Sequence, residues 1–450
     1  MSIVRNLVNV RHGFFRCLLL MVVMIIVTSN IFGKVRVETI NGLRYRLNST
    51  TKTATVISFN GRLNKGYLNV PRKVKASDQC LYLVTALGDE CFRSCTSLTN
   101  ITIPPSVTTL GHGCFVNTSL TNVTIPSSVT SLGPACFCLC TSLKSITIPS
   151  SVKKIAYQCF QNCSSLASIT IPSSVTELGN DCFKDCSSLA SITIPSSVTS
   201  LGRDCFSGCS SLTNITIPPS VTSLNGCFSG CSSLASVTIP SSVTELGEYC
   251  FSDCSSLASI IIPSSVTELG DGCFSGCSSL ASIIIPSSVT KMGSDCFSDC
   301  SSLASVTIPS SVTELEFGCF AHCSSLVSVT IPSSVSALRE YCFSGCSSLT
   351  SIIVPSSVEL LGCGCFSGCS SLISIIVPSD VLIDTMRGEN VIFEDCQKLE
   401  KVIFKGELSS DSYTNFWGLS KTCNIFVPEE YLQEYKNAFK GYPNIYPSRE

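Results

Sequence analysis

The sequence predicts a solenoid, a stack of similar turns in which each turn packs only against its neighbours, and two observations carry this prediction. A unit of 23 residues recurs along most of the chain, and CFSDCSSLASIIIPSSVTELG (Cys250 to Gly270) is a clean copy. One Phe per unit keeps the register, with steps mostly of 23, two of 22 and a longer last one. These residues are Phe92, Phe115, Phe137, Phe160, Phe183, Phe206, Phe228, Phe251, Phe274, Phe297, Phe320, Phe343, Phe366 and Phe393.

The first element of each unit is a strand. In the unit that contains Ile260, the side chains of Ile260 and Ile262 fall on one side, and those of Ser259 and Ile261 fall on the other. This alternation with period two is typical of an extended strand. Pro263 ends the strand because proline has no N–H to donate to a ladder. Stacked turns would place these strands side by side in a parallel sheet.

The second half of the unit returns the chain to the next strand. Val266 to Leu269 again spaces two apolar residues for the interior, and Gly270 permits a sharp change of direction. Cys273, Phe274 and Cys277 follow with a spacing that fits one short helical turn facing inward. The predicted fold is therefore an α/β repeat, predominantly parallel β with short helical turns, of about 14 turns of about 23 residues.

The first 33 residues are expected to be a secretory signal. Arg5, Arg11 and Arg16 precede an apolar run from Cys17 to Val27, and small polar residues follow. A basic region, a short apolar core and small residues are typical of such signals. The run is about half of the ~20 residues that a spanning helix needs. A cleaved signal is the favoured interpretation, and an uncleaved membrane anchor or a buried core helix stay open as alternatives.

Flanking segments are expected to cover the apolar ends of the solenoid. Residues 34–83 alternate like strands around an Asn41-Gly42 turn and are predicted to form a β-rich N-terminal cap. Residues 84–404 form the predicted solenoid. Residues 405–450 are rich in aromatic residues, with a short amphipathic helix predicted to open at Pro428. An aromatic C-terminal cap is the favoured interpretation of this segment, and a small binding module is the alternative.

The repeat resembles the BspA-like type of leucine-rich repeat. The residues that carry the resemblance are the Ile-Pro-x-x-Val, Leu-Gly (or Met-Gly) and Phe-x-x-Cys signatures, as in Leu280, Ile283, Ile285, Pro286, Val289, Met292, Gly293, Phe297 and Cys300. The resemblance covers residues 84–404. It implies a leucine-rich-repeat solenoid, secreted or on the cell surface, from a class found in host-associated anaerobic bacteria and some protozoan parasites. Several members of that class are adhesins for host matrix proteins.

Most of the 31 cysteines form two columns of Cys-Phe-x-x-Cys pairs, such as Cys182 and Cys186. Zinc ligation, disulfides and buried thiols that pack as small hydrophobes are the three hypotheses. Thr118 and Ile392 each stand where a column cysteine is expected. Isoleucine cannot ligate a metal but can fill a packing position, so buried thiols are favoured. Cys80, Cys138, Cys363 and Cys423 fall outside both columns and are expected to be exposed or separately paired.

The sequence gives no indication of an enzyme. Apart from the predicted signal, the chain has two histidines, His112 and His322, about nine turns apart, so they cannot share a catalytic site. The net charge is -2 with 13% charged residues, which excludes a basic surface for nucleic acid. No cofactor or metal is expected. Glutamates that recur in some turns, at Glu177, Glu245, Glu268 and Glu314, are expected on a solvent-facing edge rather than in a calcium site.

A sheet surface remains as the candidate site. Two outward columns, one of Ser or Asn and one of Thr or Ile, are predicted to line the concave sheet. The candidate residues are Ser145, Thr147, Ser168, Thr170, Ser191, Thr193, Asn214, Thr216, Ser236, Thr238, Ser259, Ile261, Ser282, Ile284, Ser305, Thr307, Ser328 and Thr330. β-Branched residues also suit any sheet surface, so a purely structural role for the columns stays open.

The expected function is binding without catalysis. The partner would be a host extracellular-matrix or cell-surface protein or a glycan, and membrane contact is expected only through an uncleaved N-terminal segment. Charged and aromatic residues, which usually dominate interfaces, are missing from the columns, so each turn would contribute weakly and many would act together. A passive spacer or surface-layer protein that presents its C-terminal cap is the alternative. Ice binding through ordered threonines is a remote one.

Overall fold

The computed structural model describes residues 35–63, 65–379, 381–383, 391–407 and 418–448. The predicted signal segment, residues 1–33, lies outside the described residues. The described chain forms a parallel β-solenoid of about 15 turns of about 23 residues with little helix, which confirms the predicted fold class. Among the described residues, no helix has both the length and the apolar character needed to cross a bilayer.

The described chain begins with an antiparallel meander of three strands. β1 (Val35–Ile40) pairs with β2 (Leu43–Asn48), which pairs with β3 (Thr53–Phe59). Asn41 and Gly42 join the first two strands with φ values of 50° and 80°. A two-residue hairpin turn of type I′ needs positive φ at both central residues, which Asn and Gly supply at low cost.

Three short strands connect this meander to the repeats. β4 (Tyr67–Asn69) pairs in parallel with the repeat strand at residues 100–102. β5 (Lys73–Lys75) pairs antiparallel with β6 (Leu81–Leu87), and β6 lies parallel to β3. The N-terminal region therefore supplies a first strand to each of the two parallel ladders of the solenoid.

The predicted strand of each turn stacks into one of these ladders, here called the main sheet. Equivalent residues of most neighbouring turns are direct partners, as Thr147 is with Thr170, but the pairing is interrupted between residues 100–102 and 122–124 and between residues 191–193 and 214–216. The turn at Ile261 joins through single bridges to Thr238 and Ile284. After β4 its strands are β7 (Asn100–Thr102), β9 (Asn122–Thr124), β11 (Ser145–Thr147), β13 (Ser168–Thr170), β15 (Ser191–Thr193), β17 (Asn214–Thr216), β19 (Ser236–Thr238), β22 (Ser282–Ile284), β24 (Ser305–Thr307), β26 (Ser328–Thr330), β28 (Ser351–Ile353), β30 (Ser374–Val377), β32 (Lys401–Phe404), β33 (Asn424–Val427) and β34 (Ile445–Pro447).

The second ladder, here called the second sheet, consists of two-residue strands that continue from β3 and β6. Most of these strands place the first residue toward solvent and the second residue in the core, although the first residue of one of them, Ala337, is itself buried. The strands are β8 (Thr109–Leu110), β10 (Ser131–Leu132), β12 (Lys154–Ile155), β14 (Glu177–Leu178), β16 (Ser200–Leu201), β18 (Ser223–Leu224), β20 (Glu245–Leu246), β21 (Glu268–Leu269), β23 (Lys291–Met292), β25 (Glu314–Leu315), β27 (Ala337–Leu338), β29 (Leu360–Leu361) and β31 (Leu382–Ile383).

Glycine follows most strands of the second sheet because neighbouring backbones approach closely there. A Cβ added to Gly270 would lie 2.6 Å from the backbone nitrogen of Glu248. At three of the four described positions where this glycine is replaced, the pairing with the preceding turn is weakened: the strand before Ala156 has one paired residue with β10 although it has two with β14, and the ladder is interrupted before the strands that precede Asn225 and Glu316. Arg339 also replaces the glycine, yet β25 and β27 keep both pairs.

The core is a set of columns that run through all turns. Leu257, Ile260 and Ile262, predicted to face inward, are at most 7% exposed, and Phe251 is fully buried. From Phe92 to Phe393 the repeat phenylalanines stack ring on ring, with centroids 5.2–6.0 Å apart and interplanar angles of 15° or less. One hydrophobic core therefore extends along the whole solenoid.

The Cys-Phe-x-x-Cys segments turn the chain without forming helices. The residues before the two cysteines adopt left-handed backbone conformations, as in Tyr249 (φ 52°) and Asp253 (φ 57°). The shortest bonds of the segment run to the next turn: the Tyr249, Phe251 and Asp253 amides donate to carbonyls 22 residues ahead at 2.7–2.8 Å. Within the segment, single bonds such as that from the Cys254 amide to the Phe251 carbonyl at 3.2 Å span three residues and close turns. The Cys-Phe-x-x-Cys spacing, which predicted a short helical turn, therefore belongs to a hydrogen-bonded corner. Its Cys and Phe side chains face inward, as predicted.

The parallel ladder continues beyond residue 404, through β33 and β34. Between these strands a 3₁₀-helix (Glu429–Tyr431) leads into α1 (Leu432–Ala438), which matches the helix predicted to open at Pro428. Tyr435 and Phe439 lie against Phe404, with ring centroids 5.1 Å and 6.2 Å away. These aromatic rings cover the core at the C-terminal end of the solenoid.

Candidate binding surface

The candidate site is the solvent-facing side of the main sheet, here called the outer face. All eighteen residues predicted for it, from Ser145 to Thr330, are exposed and lie at equivalent positions of successive turns. Adjacent strands hold the two columns in register, as Ser168 with Ser191 and Thr170 with Thr193. The structure therefore brings these residues together on one surface.

The outer face differs from the other polar columns because most of its side chains are not used to hold turns together; Ser145, whose hydroxyl donates to the Asn122 side chain at 2.9 Å, is an exception. The second Ser of each Pro-Ser-Ser-Val motif donates to the Val carbonyl of the preceding turn, as Ser265 does to Val243 at 2.6 Å. The Thr after that motif's Val also donates backward, as Thr267 does to Thr244 at 3.4 Å. The Ser hydroxyl thereby satisfies a Val carbonyl, whereas the Thr244 carbonyl also accepts the Thr267 backbone N–H at 3.0 Å. Both hydroxyls have a structural role.

The outer face becomes apolar in its C-terminal half. Ile261 and Ile284, on adjacent turns, are 84% and 82% exposed, and Ile353 is 72% exposed. Burial does not account for isoleucine at positions so open to water, although a β-branched side chain suits the surface of a sheet. Exposed apolar groups that adjoin one another are typical of interaction surfaces.

At the end of the outer face the same columns acquire charge and aromatic rings. The Thr/Ile column continues from Ile376 through Ile403 to Phe426 and Tyr446, each a direct partner of the last. In the Ser/Asn column Lys401 is the partner of Ser374. An open cavity of about 520 Å³ lies here, lined by Lys401, Ile403, Lys405, Phe426, Tyr446, Pro447 and Ser448. We call these seven residues the terminal platform.

Both cysteine columns are buried, as predicted, except for Cys95, which is half-buried. Cys182, Cys186 and Cys254 are fully buried free thiols. Burial raises the pKa of Cys227 to about 12 and the pKa of Cys273 well above its ordinary value, because a thiolate would lose its hydration in the core. Within the described ranges, His, Cys, Asp and Glu side chains nowhere gather in a group of three or more that could hold a metal ion.

The second cysteine of each pair also makes a polar contact between turns. The Cys254 thiol donates to the Phe228 carbonyl at 3.2 Å, and the same bond recurs from Cys140 to Cys396. Thr118 occupies one of these positions with its side chain buried, and its hydroxyl lies 3.3 Å from the sulfur of Cys140. Threonine is accepted there because it supplies a small buried donor.

The prediction for the cysteines outside the columns is only partly right. Cys80 and Cys138 are half-buried, but Cys363 and Cys423 are 4% and 1% exposed, so the expected exposure is wrong for these two. Cys423 lies just before β33 and packs into the core of a turn that the sequence pattern did not reveal. Its burial follows from the continuation of the ladder beyond residue 404.

The other residues weighed from the sequence lie apart from one another. His112 and His322 are exposed at turns far apart along the solenoid. The glutamate column lies on the second sheet, where Glu177 pairs with Lys154 at 2.6 Å and Glu314 pairs with Arg339 at 2.7 Å. These contacts with neighbouring turns agree with an edge that faces solvent.

Sequence reasoning missed the terminal platform, although a signal was present. Asn-Ile-Phe-Val-Pro at residues 424–428 repeats the Ser-Ile-Ile-Val-Pro of residues 374–378. Between residues 404 and 424 the sequence lacks the Cys-Phe-x-x-Cys corner, so the period could not be followed. The strand-and-proline pattern alone would have placed Phe426 outward.

Stacked parallel strands, an inward Leu-Ile-Ile pattern and a surface sheet define a leucine-rich-repeat solenoid. A family model described as BspA type leucine rich repeat region matches residues 80–190, 179–304, 299–388 and 387–447. The chain therefore belongs to the BspA-type leucine-rich-repeat family. Proteins of this family and fold are typically non-enzymatic. Membership of the family supports the interpretation of this chain as a repeat protein that binds other proteins.

Solved structures agree with this assignment. A leucine-rich repeat protein from Bacteroides ovatus is 30% identical with a TM-score of 0.63, and the match covers 87% of this chain and 100% of that one. A leucine rich cell surface protein from Faecalibacterium prausnitzii is 29% identical with a TM-score of 0.51, over 78% of this chain and 96% of that one. No curated protein matches the chain significantly by sequence.

Proposed function

We propose that this chain is a secreted or cell-surface adhesion protein that binds a large, repetitive protein or glycan through the outer face of its main sheet. The observation that carries the proposal is the outer face itself. Its Ser/Asn and Thr/Ile columns are exposed in register from Ser145 to Thr330, and isoleucines up to 84% exposed stand among them. A cell-surface location is supported by the Faecalibacterium prausnitzii protein, whose description places it there.

The chemistry of the face indicates how it would bind. From Ser145 to Ile376 the two columns contain no charged residue, so long-range steering of a partner would be weak. Hydroxyl and methyl groups repeat at the spacing of neighbouring strands, about 4.8 Å. Each turn would add a small increment, and a partner with its own repeat could engage many turns at once. Affinity is therefore expected to depend strongly on the number of turns engaged.

Lysine substitutions on the outer face test this proposal. The full chain and a Thr170→Lys, Thr193→Lys, Thr216→Lys, Thr238→Lys variant would be measured against a panel of matrix proteins and glycans. The matched control places four lysines on the second sheet, at Thr109, Ser131, Ser200 and Ser223. In other turns the equivalent positions are naturally occupied by Lys154 and Lys291. Loss of binding in the first variant alone supports the proposal. Equal binding by both variants and the parent chain rejects it.

A spacer function is the second candidate, favoured by the terminal platform. The internal turns are nearly alike, whereas the C-terminal end of the outer face combines lysines with aromatic rings at one cavity. Removal of residues 161–206 would delete two turns in register, from one Phe position to another. A spacer that presents its end would keep its affinity after this deletion. A chain that adheres through many turns would lose affinity with each turn removed.

A further inference from the structure

The terminal platform carries positive charge where the rest of the outer face carries none. Lys401 and Lys405 flank Ile403 with the two-residue spacing that places all three on one side of β32 and its continuation. Both lysines are exposed and both line the cavity. Neither takes part in an ion pair within the described part of the chain. Two ammonium groups at one cavity favour an anionic ligand.

The floor of the cavity is aromatic. The rings of Phe426 and Tyr446 lie on adjacent strands with centroids 5.7 Å apart and an angle of 35° between their planes. The Lys401 ammonium lies 4.8 Å from the centroid of the Phe426 ring, which holds the charge beside the apolar floor. Tyr446 is 43% exposed, so its ring is open to a ligand.

This combination fits a saccharide better than a peptide. Aromatic faces carry negative charge density, so they attract the weakly positive C–H face of a sugar ring. The cavity volume of about 520 Å³ is within the usual range for small-ligand sites. A peptide that bound by strand addition would need donors along the last edge of the sheet. Pro447 in β34 has no N–H to offer there.

We propose that the terminal platform binds an anionic sugar, with the ring stacked on Phe426 and Tyr446 and the anion held by Lys401 and Lys405. The anion is the carboxylate of a uronate or the sulfate of a sulfated sugar, which share this chemistry. The inference rests on the proposed function in one respect, because it names the class of glycan and the end of the outer face that would hold it.

Binding of defined oligosaccharides to the full chain tests the inference. The probes are a galacturonate hexamer, a heparin hexasaccharide, neutral cellohexaose and a hexaglutamate peptide, measured by calorimetry at low and high salt. We expect the acidic saccharides to bind, more weakly at high salt, and cellohexaose and hexaglutamate to bind at least tenfold more weakly. A preference for the uronate or for heparin identifies the anion. Equal affinity for hexaglutamate overturns the proposal.

Matched variants locate the binding. Lys401→Gln with Lys405→Gln is expected to weaken acidic saccharide binding about tenfold. Phe426→Thr introduces the residue that is common in this column. It is expected to lower the affinity for the acidic saccharides and any residual affinity for cellohexaose by a similar factor. The control, Lys398→Gln with Lys421→Gln, removes the same charge from exposed lysines of the same region outside the cavity.

The outcomes separate this inference from the proposed function. Unchanged saccharide affinity in the Lys401/Lys405 variant, or an equal loss in the control, overturns the inference. The four-lysine variant at Thr170 to Thr238 lies many turns away and should bind the acidic hexamers like the parent chain. If that variant loses matrix binding but keeps hexamer binding, both proposals stand. If it keeps both, only the proposed function fails.

Discussion

The interior and the outer face of the main sheet repeat with the same period, yet they tolerate change differently. Inside, all fourteen ring positions from Phe92 to Phe393 hold phenylalanine, because each ring stacks between two others. On the outer face, the Thr/Ile column holds Thr or Ile in the internal turns and then Phe426 and Tyr446 at its C-terminal end. Regularity inside the solenoid is required by packing. Packing does not require the same residue type at each position of the outer face, so these residues are free to differ in ways that suit a binding partner.

The largest difference between the two regions is expected in alkaline solution. The outer face presents hydroxyls that do not titrate, whereas the core holds thiols whose pKa burial raises, that of Cys227 to about 12. Above about pH 8.5 the unfolded chain loses protons that the folded chain retains. The free energy of unfolding should then fall by about 1.4 kcal/mol per pH unit for each buried thiol.

This effect is large because the thiols are many. Ten of them would remove about 14 kcal/mol by about pH 9.5, comparable to the whole stability of a typical domain. We expect the urea midpoint, measured by circular dichroism under reducing conditions, to collapse between about pH 8.5 and 9.5. The dependence on pH should be shallower in a Cys254→Ala, Cys277→Ala variant, which has two fewer buried thiols. A midpoint that is constant from pH 7.5 to 9.5 would contradict the expectation.

Removal of one stacked ring should have the next largest effect. Phe251 is fully buried between Phe228 and Phe274, at 5.5 Å and 5.6 Å. Phe251→Ala should cost about 3–5 kcal/mol, because the turn loses buried area and both stacking contacts and leaves a cavity. Urea unfolding measures the change. A cost below about 1 kcal/mol would mean that neighbouring turns close over the gap and that the ring column is as replaceable as the outer face.

Substitution of a close-approach glycine should cost less. In Gly270→Ala the new Cβ would lie 2.6 Å from backbone atoms of the preceding turn, so the turns must separate, at about 1–3 kcal/mol. Gly230→Ala is the matched control: its nearest neighbour would be 3.5 Å away, but its φ is 70°. The control should cost about 1 kcal/mol from backbone strain alone. Thermal unfolding of both variants compares the two effects.

The sequence predicted the solenoid, its main strands and its inward columns because a two-residue alternation repeated many times admits one interpretation. It misassigned the corners, since the spacing of Cys273, Phe274 and Cys277 also suits a helical turn. Only the left-handed backbone before each cysteine distinguishes the two. The Asp, Asn and Gly residues frequent at those positions, such as Asp253 and Gly276, were the available signal.

The candidate site was predictable only where the repeat was complete. The columns from Ser145 to Thr330 are exposed as predicted, because inward partners fix which side chains face out. The terminal platform was not predicted, since its strands follow one another without the Cys-Phe corner. Its chemistry depends on residues far apart in sequence, Lys401 and Tyr446, which only the stacking of β32, β33 and β34 brings to one cavity.

Substitutions on the outer face are expected to have the smallest effect on stability. They test most directly the difference between the interior and the outer face of the main sheet. Ile261 and Ile284 are more than four-fifths exposed, so Ile261→Thr with Ile284→Thr should change the free energy of unfolding by no more than about 0.5 kcal/mol per site. The reverse exchange, Thr170→Ile with Thr193→Ile, should be equally silent. If urea unfolding shows a cost above about 1.5 kcal/mol in either variant, the outer face is part of the fold after all. If stability is unchanged while matrix or glycan binding shifts in opposite directions in the two variants, the isoleucines serve binding, because no packing role remains to explain apolar residues so open to water.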